Sequence, residues 1–216
     1  MFDWQVKACG QKDLEDDGKR DLDEEICNQL DSKYENWRNP KTTYMVPRDF
    51  ISKMHNPDIG EITEEEFFNL LQTFGKRQGE PMFVIHSYKF CECIHEWESG
   101  FKKLQKWVMG EHDFVAVHRD HGVLFFQVKA TKTIGNHQKA QEQIRKDKIS
   151  LMKFFERMVK AGKISKKKAD KVFNNFPAFA VLPNSRRGDS VCTQDNFIYQ
   201  EDCASVEAFS VWWASF

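Results

Sequence analysis

The chain has 216 residues, 40% hydrophobic and 13% aromatic, with nineteen Phe and six Trp. That apolar mass suits one ordinary domain with a short appendage and excludes global disorder or two large domains. The formal charge of −1 conceals a strong polarity. Residues 11–25 hold eight acids against three bases, whereas Lys129 to Lys171 hold fourteen Lys/Arg against Glu142, Asp147, Glu156 and Asp170, a net of +10. Such a run is either a surface for an anionic partner or a solvated helix face.

No apolar run reaches the roughly 18 residues a bilayer span needs, and Met1-Phe2-Asp3-Trp4 lacks the basic-then-apolar pattern of a secretory leader. The expectation is a soluble, intracellular protein of cytoplasm or nucleus without a membrane partner. Six cysteines, at 9, 27, 91, 93, 192 and 203, make no disulfide framework for a chain this long. Cys91, Cys93 and His95 crowd together, but structural zinc wants four ligands and no second Cys/His pair sits at matching spacing. The six read as reduced thiols.

Residues 1–60 are polar and weakly patterned, with a helix expected over Leu22–Arg38 and turns at Pro40, Pro47 and Pro57; they form a partly helical N-terminal appendage. The main domain is expected over 61–216. Thr63-Glu64-Glu65-Glu66 reads as a capping box opening a helix whose Phe67, Phe68, Leu70, Leu71 and Phe74 fall at helical spacing, bounded by Gly75 and Gly79. Met82–Phe90 reads as a strand and 91–110 as a helix or irregular excursion. A hairpin follows, from His112 to His118 and from Val123 to Lys129, with Asp120-His121-Gly122 as its loop. An amphipathic helix is expected over Gln138–Lys160, facing inward with Ala140, Ile144, Leu151, Phe155 and Met158, and ended by Gly162. Ser165 is expected to cap a short basic helix to Phe173. Strands at 178–182 and 197–199 and a terminal helix over 204–213 complete a mixed α/β sandwich.

With that loop, Arg119 faces Val123, so Asp113 lies opposite Lys129 and Val115 opposite Gln127. Asp113, Gln127 and Lys129 then share one face with Glu111 beyond, while Phe114, Ala116, Leu124, Phe126 and Val128 fill the other. Polar groups in such apolar strands lose several kcal/mol of solvation unless paired or metal-bound. One reading is an Asp113–Lys129 salt bridge at a strand end. The other is a divalent-metal site, with Asp113 as hard oxygen ligand, Gln127 giving its side-chain carbonyl and Lys129 organising a water beside a scissile phosphate.

Gly110-Glu111-His112-Asp113-Phe114-Val115-Ala116-Val117 followed by Gly122-Val123-Leu124-Phe125-Phe126-Gln127-Val128-Lys129 resembles the PD-(D/E)XK nuclease superfamily, and more narrowly the nuclease-related domain known as NERD. The resemblance covers about 61–216 and implies a three-layer α/β/α sandwich around a central mixed sheet of about five strands, the restriction-endonuclease-like core. It implies an acidic residue on the upstream helix, which Glu64 fits best, with Glu65 and Glu66 as alternatives and Glu92, Glu96 and Glu98 as rivals. It implies a glutamine on the helix after the lysine strand, Gln141 or Gln143, and a strand ending like Val181-Leu182-Pro183-Asn184. Two departures stand out: Gln127 where the family commonly has Glu, and the tryptophan-bearing insertion at 91–110.

The function implied is a nuclease dependent on Mg²⁺, with Mn²⁺ as substitute, cutting DNA in preference to RNA with little sequence specificity. Glu64, Asp113 and Gln127 would hold metal and Lys129 would organise the attacking water, with Glu111 and Gln141 or Gln143 as accessories. Lys132, Lys139, Arg145, Lys146, Lys166, Lys167 and Lys168 would hold the nucleic-acid backbone. The alternative is a catalytically degenerate nucleic-acid-binding or regulatory module of a larger protein; a third reading is a protein-interaction domain using 91–110. The resemblance allows for an additional C-terminal domain or a homo-oligomer.

Overall fold

The computed structural model describes residues 31–34, 41–52, 55–98, 102–130, 134–167, 169–170, 177–189 and 196–216. The chain divides into two compact units, Met1–Trp37 and Arg38–Phe216. In the first, residues 31–33 form a helical turn, and the rest of the expected 22–38 helix and the acidic run lie outside the described residues.

The second unit is mixed α/β. A six-stranded sheet runs in sequence order, β1 (Thr43–Val46), β2 (Met82–Glu98), β3 (Lys102–His118), β4 (Gly122–Val128), β5 (Ala178–Leu182) and β6 (Phe197–Tyr199). The β2–β3 and β3–β4 pairs are antiparallel; β1–β2, β4–β5 and β5–β6 are parallel. The sheet thus has one strand more than expected, because β1 lies within residues assigned by sequence to the appendage. Among the described residues no helix is long and apolar enough to cross a membrane.

Helix α1 (Ile59–Gln78) begins a turn before the expected capping box: Asp58 is its N-cap and accepts from Glu61 N at 2.9 Å, while Thr63 Oγ1 donates to Ile59 O inside the helix. Gly79, at φ 68°, ends it in the left-handed conformation. Gly75 is interior instead of terminal; a Cβ there would collide with the Thr43 side chain, so the glycine lets β1 approach α1.

Side-chain alternation sorts the core. Phe114, Ala116, Leu124, Phe126 and Val128 join Phe179 and Val181 against Phe67, Phe68, Leu71 and Phe74 of α1 and Phe209, Trp212 and Trp213 of α4 (Val206–Ser215). Phe125, Ala178, Ala180 and Leu182 meet Ala140, Ile144 and Leu151 of α2 (Ile134–Lys160) in a second cluster. Each buried large side chain removes about 1.5–3 kcal/mol worth of apolar surface from water. A short helix α3 (Gln200–Cys203) links β6 to α4. Its Cys203 is a free thiol, pushed up to about 12 by burial and by Asp202.

Three expectations are corrected. Residues 91–98 and 102–110 are not helical but extend β2 and β3 into a two-stranded arm, paired from Tyr88↔His112 to Glu98↔Lys102, and residues 99–101 lie outside the described residues. The hairpin turn is Arg119–His121, and Gly122, at φ 75°, already pairs with His118. Each β3 residue therefore faces a β4 residue two earlier than expected, Val117 opposite Val123; because the shift is even, strand faces are preserved. His118 organises this tip: its Nδ1 accepts from Asp120 N and His121 N at 3.1 Å, and its Nε2 donates to Glu80 Oε2 at 2.8 Å. After Gly162, residues 166–167 and 169–170 are helical, Ala169 N donating to Ser165 O at 3.0 Å; residues 168 and 171–176 of the expected basic helix lie outside the described residues.

Candidate active site at the splitting of β3 and β4

The β3–β4 ladder stops at Phe114↔Phe126, one position short of Asp113. On the other side, β2 and β3 pair at His86↔Phe114 and Tyr88↔His112 but not between, and Ser87 there has φ 56°. A left-handed serine costs about 1–3 kcal/mol and re-aims the chain. The alternation resets as a result. Phe114 packs on Phe67 of α1, whereas His112, two residues away, stacks on Phe90 at 4.4 Å and meets Phe125, of the α2-facing cluster, edge-on at 4.7 Å.

Asp113 fills the gap. Its Oδ2 accepts from Val128 N at 2.8 Å, the amide that the missing ladder pair leaves over, and lies 3.5 Å from Lys129 Nζ. Lys129 Nζ also donates to Val128 O at 2.8 Å. Burial pushes the Asp113 carboxyl above its ordinary value; Lys129 and the Val128 amide pull it down, and the Asp147 charge adds to the rise. Asp113 therefore sits among Lys129, Val128 and the field of α2, not directly opposite Lys129 on a regular ladder.

Gln127 is almost wholly buried. Its Nε2 donates to Glu111 O at 3.1 Å, and Gln143 Nε2, from α2, donates to the same carbonyl at 3.1 Å. A carbonyl demands donors, so this contact fixes which way the Gln127 amide points. Among the described residues its Oε1 is left buried without a hydrogen-bond partner. Leaving such an acceptor unmet costs about 1–3 kcal/mol. Gly110 makes the approach feasible: a Cβ there would stand 2.6 Å from Phe90 Cζ and 2.9 Å from Gln143 Nε2.

Behind this site lies a group the sequence reading does not identify. Asp147, fully buried, has Oδ1 2.8 Å from His112 Nδ1 and 3.3 Å from Gln143 Nε2, while His112 Nε2 is 3.3 Å from Ser150 Oγ. The signal was present: Asp147 falls on the Ala140–Ile144–Leu151 stripe, where a carboxylate needs a buried partner. On the far side, Lys129 N donates to Val181 O at 2.9 Å and Asn184 Nδ2 to Ala130 O at 2.6 Å, tying the loop after β5 to the residues after β4.

A cleft of about 590 Å³ opens between Lys129 and α2, lined by Gln138, Lys139, Glu142, Gln143 and Lys146. Thus the fold assembles Asp113, Gln127, Lys129, Gln143, Lys139, Lys146 and the main-chain carbonyl of Glu111. Arg145 forks onto Glu142 with two 2.8 Å bonds. Gln141 is half-buried on α2 and does not line the cleft. Glu64 is on the half-buried side of α1, which packs on the sheet face opposite the one carrying Gln127; Glu65 and Glu66 are exposed. The backbones of Glu92, Glu96 and Glu98 lie on the arm opposite Val108, Leu104 and Lys102. Lys166 and Lys167 follow the C-terminal end of α2, which lies about 20–30 Å along the helix from the cleft. Lys132 and Lys168 lie outside the described residues. Among the described residues no three His, Cys, Asp or Glu side chains group to hold a metal.

No family model matches the chain, and no curated protein or solved structure matches it either.

Proposed function

We propose that the chain is a metal-dependent nuclease domain of the PD-(D/E)XK, NERD-like kind, a three-layer α/β/α sandwich hydrolysing nucleic-acid phosphodiesters, DNA in preference to RNA. The observation that carries this reading is the orphaned Gln127 Oε1 at a buried position near Asp113 and Lys129, where a ligand for a hard cation would stand. The order helix, three antiparallel strands, helix, parallel strand supports it, as does the lysine-lined cleft.

The donor set fits Mg²⁺ in the weak mode, in which one carboxylate and an amide oxygen hold an ion that keeps several waters and takes substrate phosphate as a further ligand. Asp113 and Gln127 would hold it, and the ion when bound would supply Lewis-acid charge and acidify a water. Val128 N aims the Asp113 carboxylate, and Gln143, through Glu111 O, keeps the Gln127 oxygen turned from the backbone. Lys129 places a cation where the phosphate gains charge and can hold the attacking water by hydrogen bond. Lys139 and Lys146 hold the flanking backbone.

The test is cleavage of single- and double-stranded DNA and RNA in Mg²⁺, Mn²⁺ or EDTA. Metal-dependent cutting is expected, strongest on DNA; binding without cutting in any metal would overturn catalysis in favour of the degenerate module. That module is favoured by one observation, the single carboxylate at the metal position. Gln127→Glu separates the cases further, because a second carboxylate at a real site should tighten Mn²⁺ binding by about tenfold, read by calorimetry. An unchanged affinity would place the metal elsewhere.

A further inference from the structure

We propose that the substrate backbone crosses the carboxyl ends of the parallel strands β4 and β5, with Arg186 gripping a phosphate on the side of Lys129 away from α2; this rests on the nuclease reading above. Parallel strands deliver their carboxyl ends to one edge, where open α/β sheets bind ligands. Here that edge carries Lys129 after β4 and Asn184, Ser185 and Arg186 after β5. The Asn184–Ala130 bond of 2.6 Å clamps the two connections together. Lys129 is one residue before the clamp and Arg186 two after it, so their backbones lie on the order of 10–15 Å apart. That distance spans a few nucleotides of one strand.

The two arginines of this loop are not equivalent. Arg187 is committed: its Nη2 lies 2.9 Å from both Asp202 oxygens, and its guanidinium sits 5.2 Å over the Tyr199 ring. Glu201 is directed at the Arg187 amide, with both oxygens at 3.3 Å. Arg186 is exposed, and among the described residues no ion pair or hydrogen bond engages its side chain. On the other flank, Glu142 is the one acidic residue that lines the cleft beside Lys139 and Lys146 among the described residues, and it is held by Arg145. Lys129 is thus the midpoint of a cationic path that ends in Arg186.

The experiment is anisotropy of a fluorescent twelve-residue oligothymidylate with the full chain in EDTA, titrated with KCl. Arg186→Ala should weaken binding about fivefold and flatten the salt slope by about 0.7, the share of one phosphate on a single strand. Arg186→Lys should keep the slope. If Lys139→Ala with Lys146→Ala weakens binding while Arg186→Ala leaves affinity and slope intact, the path does not reach β5; this inference falls and the nuclease reading stands. If the wild-type chain binds neither this oligonucleotide nor a duplex, both fall.

Discussion

Asp113→Asn should reduce metal-dependent cleavage by about 10²–10³-fold, the range lost when a group stabilising developing charge is removed from an enclosed site. The substitution keeps an oxygen to accept from Val128 N and removes only the charge. Binding in EDTA should survive, since phosphate contacts are assigned to the lysines. Stability should move the other way. The folded state raises the Asp113 pKa, so the carboxyl binds its proton more tightly in the fold than in the unfolded chain. Its stabilising contribution is complete below the unfolded value, near 3.8, and is lost as pH rises through the folded value. A side chain that cannot ionise escapes that loss. Asp113→Asn should therefore raise the urea midpoint at neutral pH, with the gain vanishing as pH falls below 3.8. An inactive but more stable protein is what a functional site looks like. A destabilised protein with normal cleavage would reduce Asp113 to half of a strand-end salt bridge.

Much of this arrangement was legible in sequence, for reasons that differ by element. The hairpin and α2 announce themselves because one face of each is apolar, and that alternation survives the two-residue error in register at Gly122. The arm beyond Phe90, formed by residues 91–98 and 102–110, was not legible. Its charged and aromatic residues lack the apolar-in, polar-out contrast of a strand packed on a core. Strand β1, of four residues, is too short to show a period, and its cue was indirect: Gly75 in mid-helix marks the close approach of Thr43.

Within the site, the residue types were readable and their relations were not. Alternation places Asp113, Gln127 and Glu111 side by side, but the chain departs from alternation at Ser87, and no pattern predicts a left-handed serine. Hence Glu111 contributes its carbonyl to the site, an atom every residue has. Gln143 could be shortlisted beside Gln141 but not chosen, since the choice depends on which turn of α2 passes over Gly110.

The largest stability effect should come from Asp147→Ala. The carboxylate is fully buried and holds His112 Nδ1 at 2.8 Å, and His112 in turn reaches Ser150, a turn further along the same helix, at 3.3 Å. One imidazole thus fastens two turns of α2 to β3, beside the break in the ladder where backbone pairing cannot do so. Removing the carboxylate costs about 1–3 kcal/mol, because His112 Nδ1 is left unmet among Phe90, Phe125 and Tyr88 while Nε2 keeps Ser150. A midpoint shift of that size in urea is expected for Asp147→Ala. His112→Phe should cost less than Asp147→Ala if the Asp147 carboxylate can still find Gln143 Nε2, now 3.3 Å away. The double variant should be far less destabilised than the sum of the singles, the mark of one shared interaction. Strict additivity would mean that the two groups are held independently, and that α2 is fixed over the site by its apolar stripe alone. In the coupled case, Asp147→Ala should also lower cleavage even where the protein remains folded, because Gln143, losing one of its two acceptors, would hold Glu111 O and the Gln127 amide less firmly.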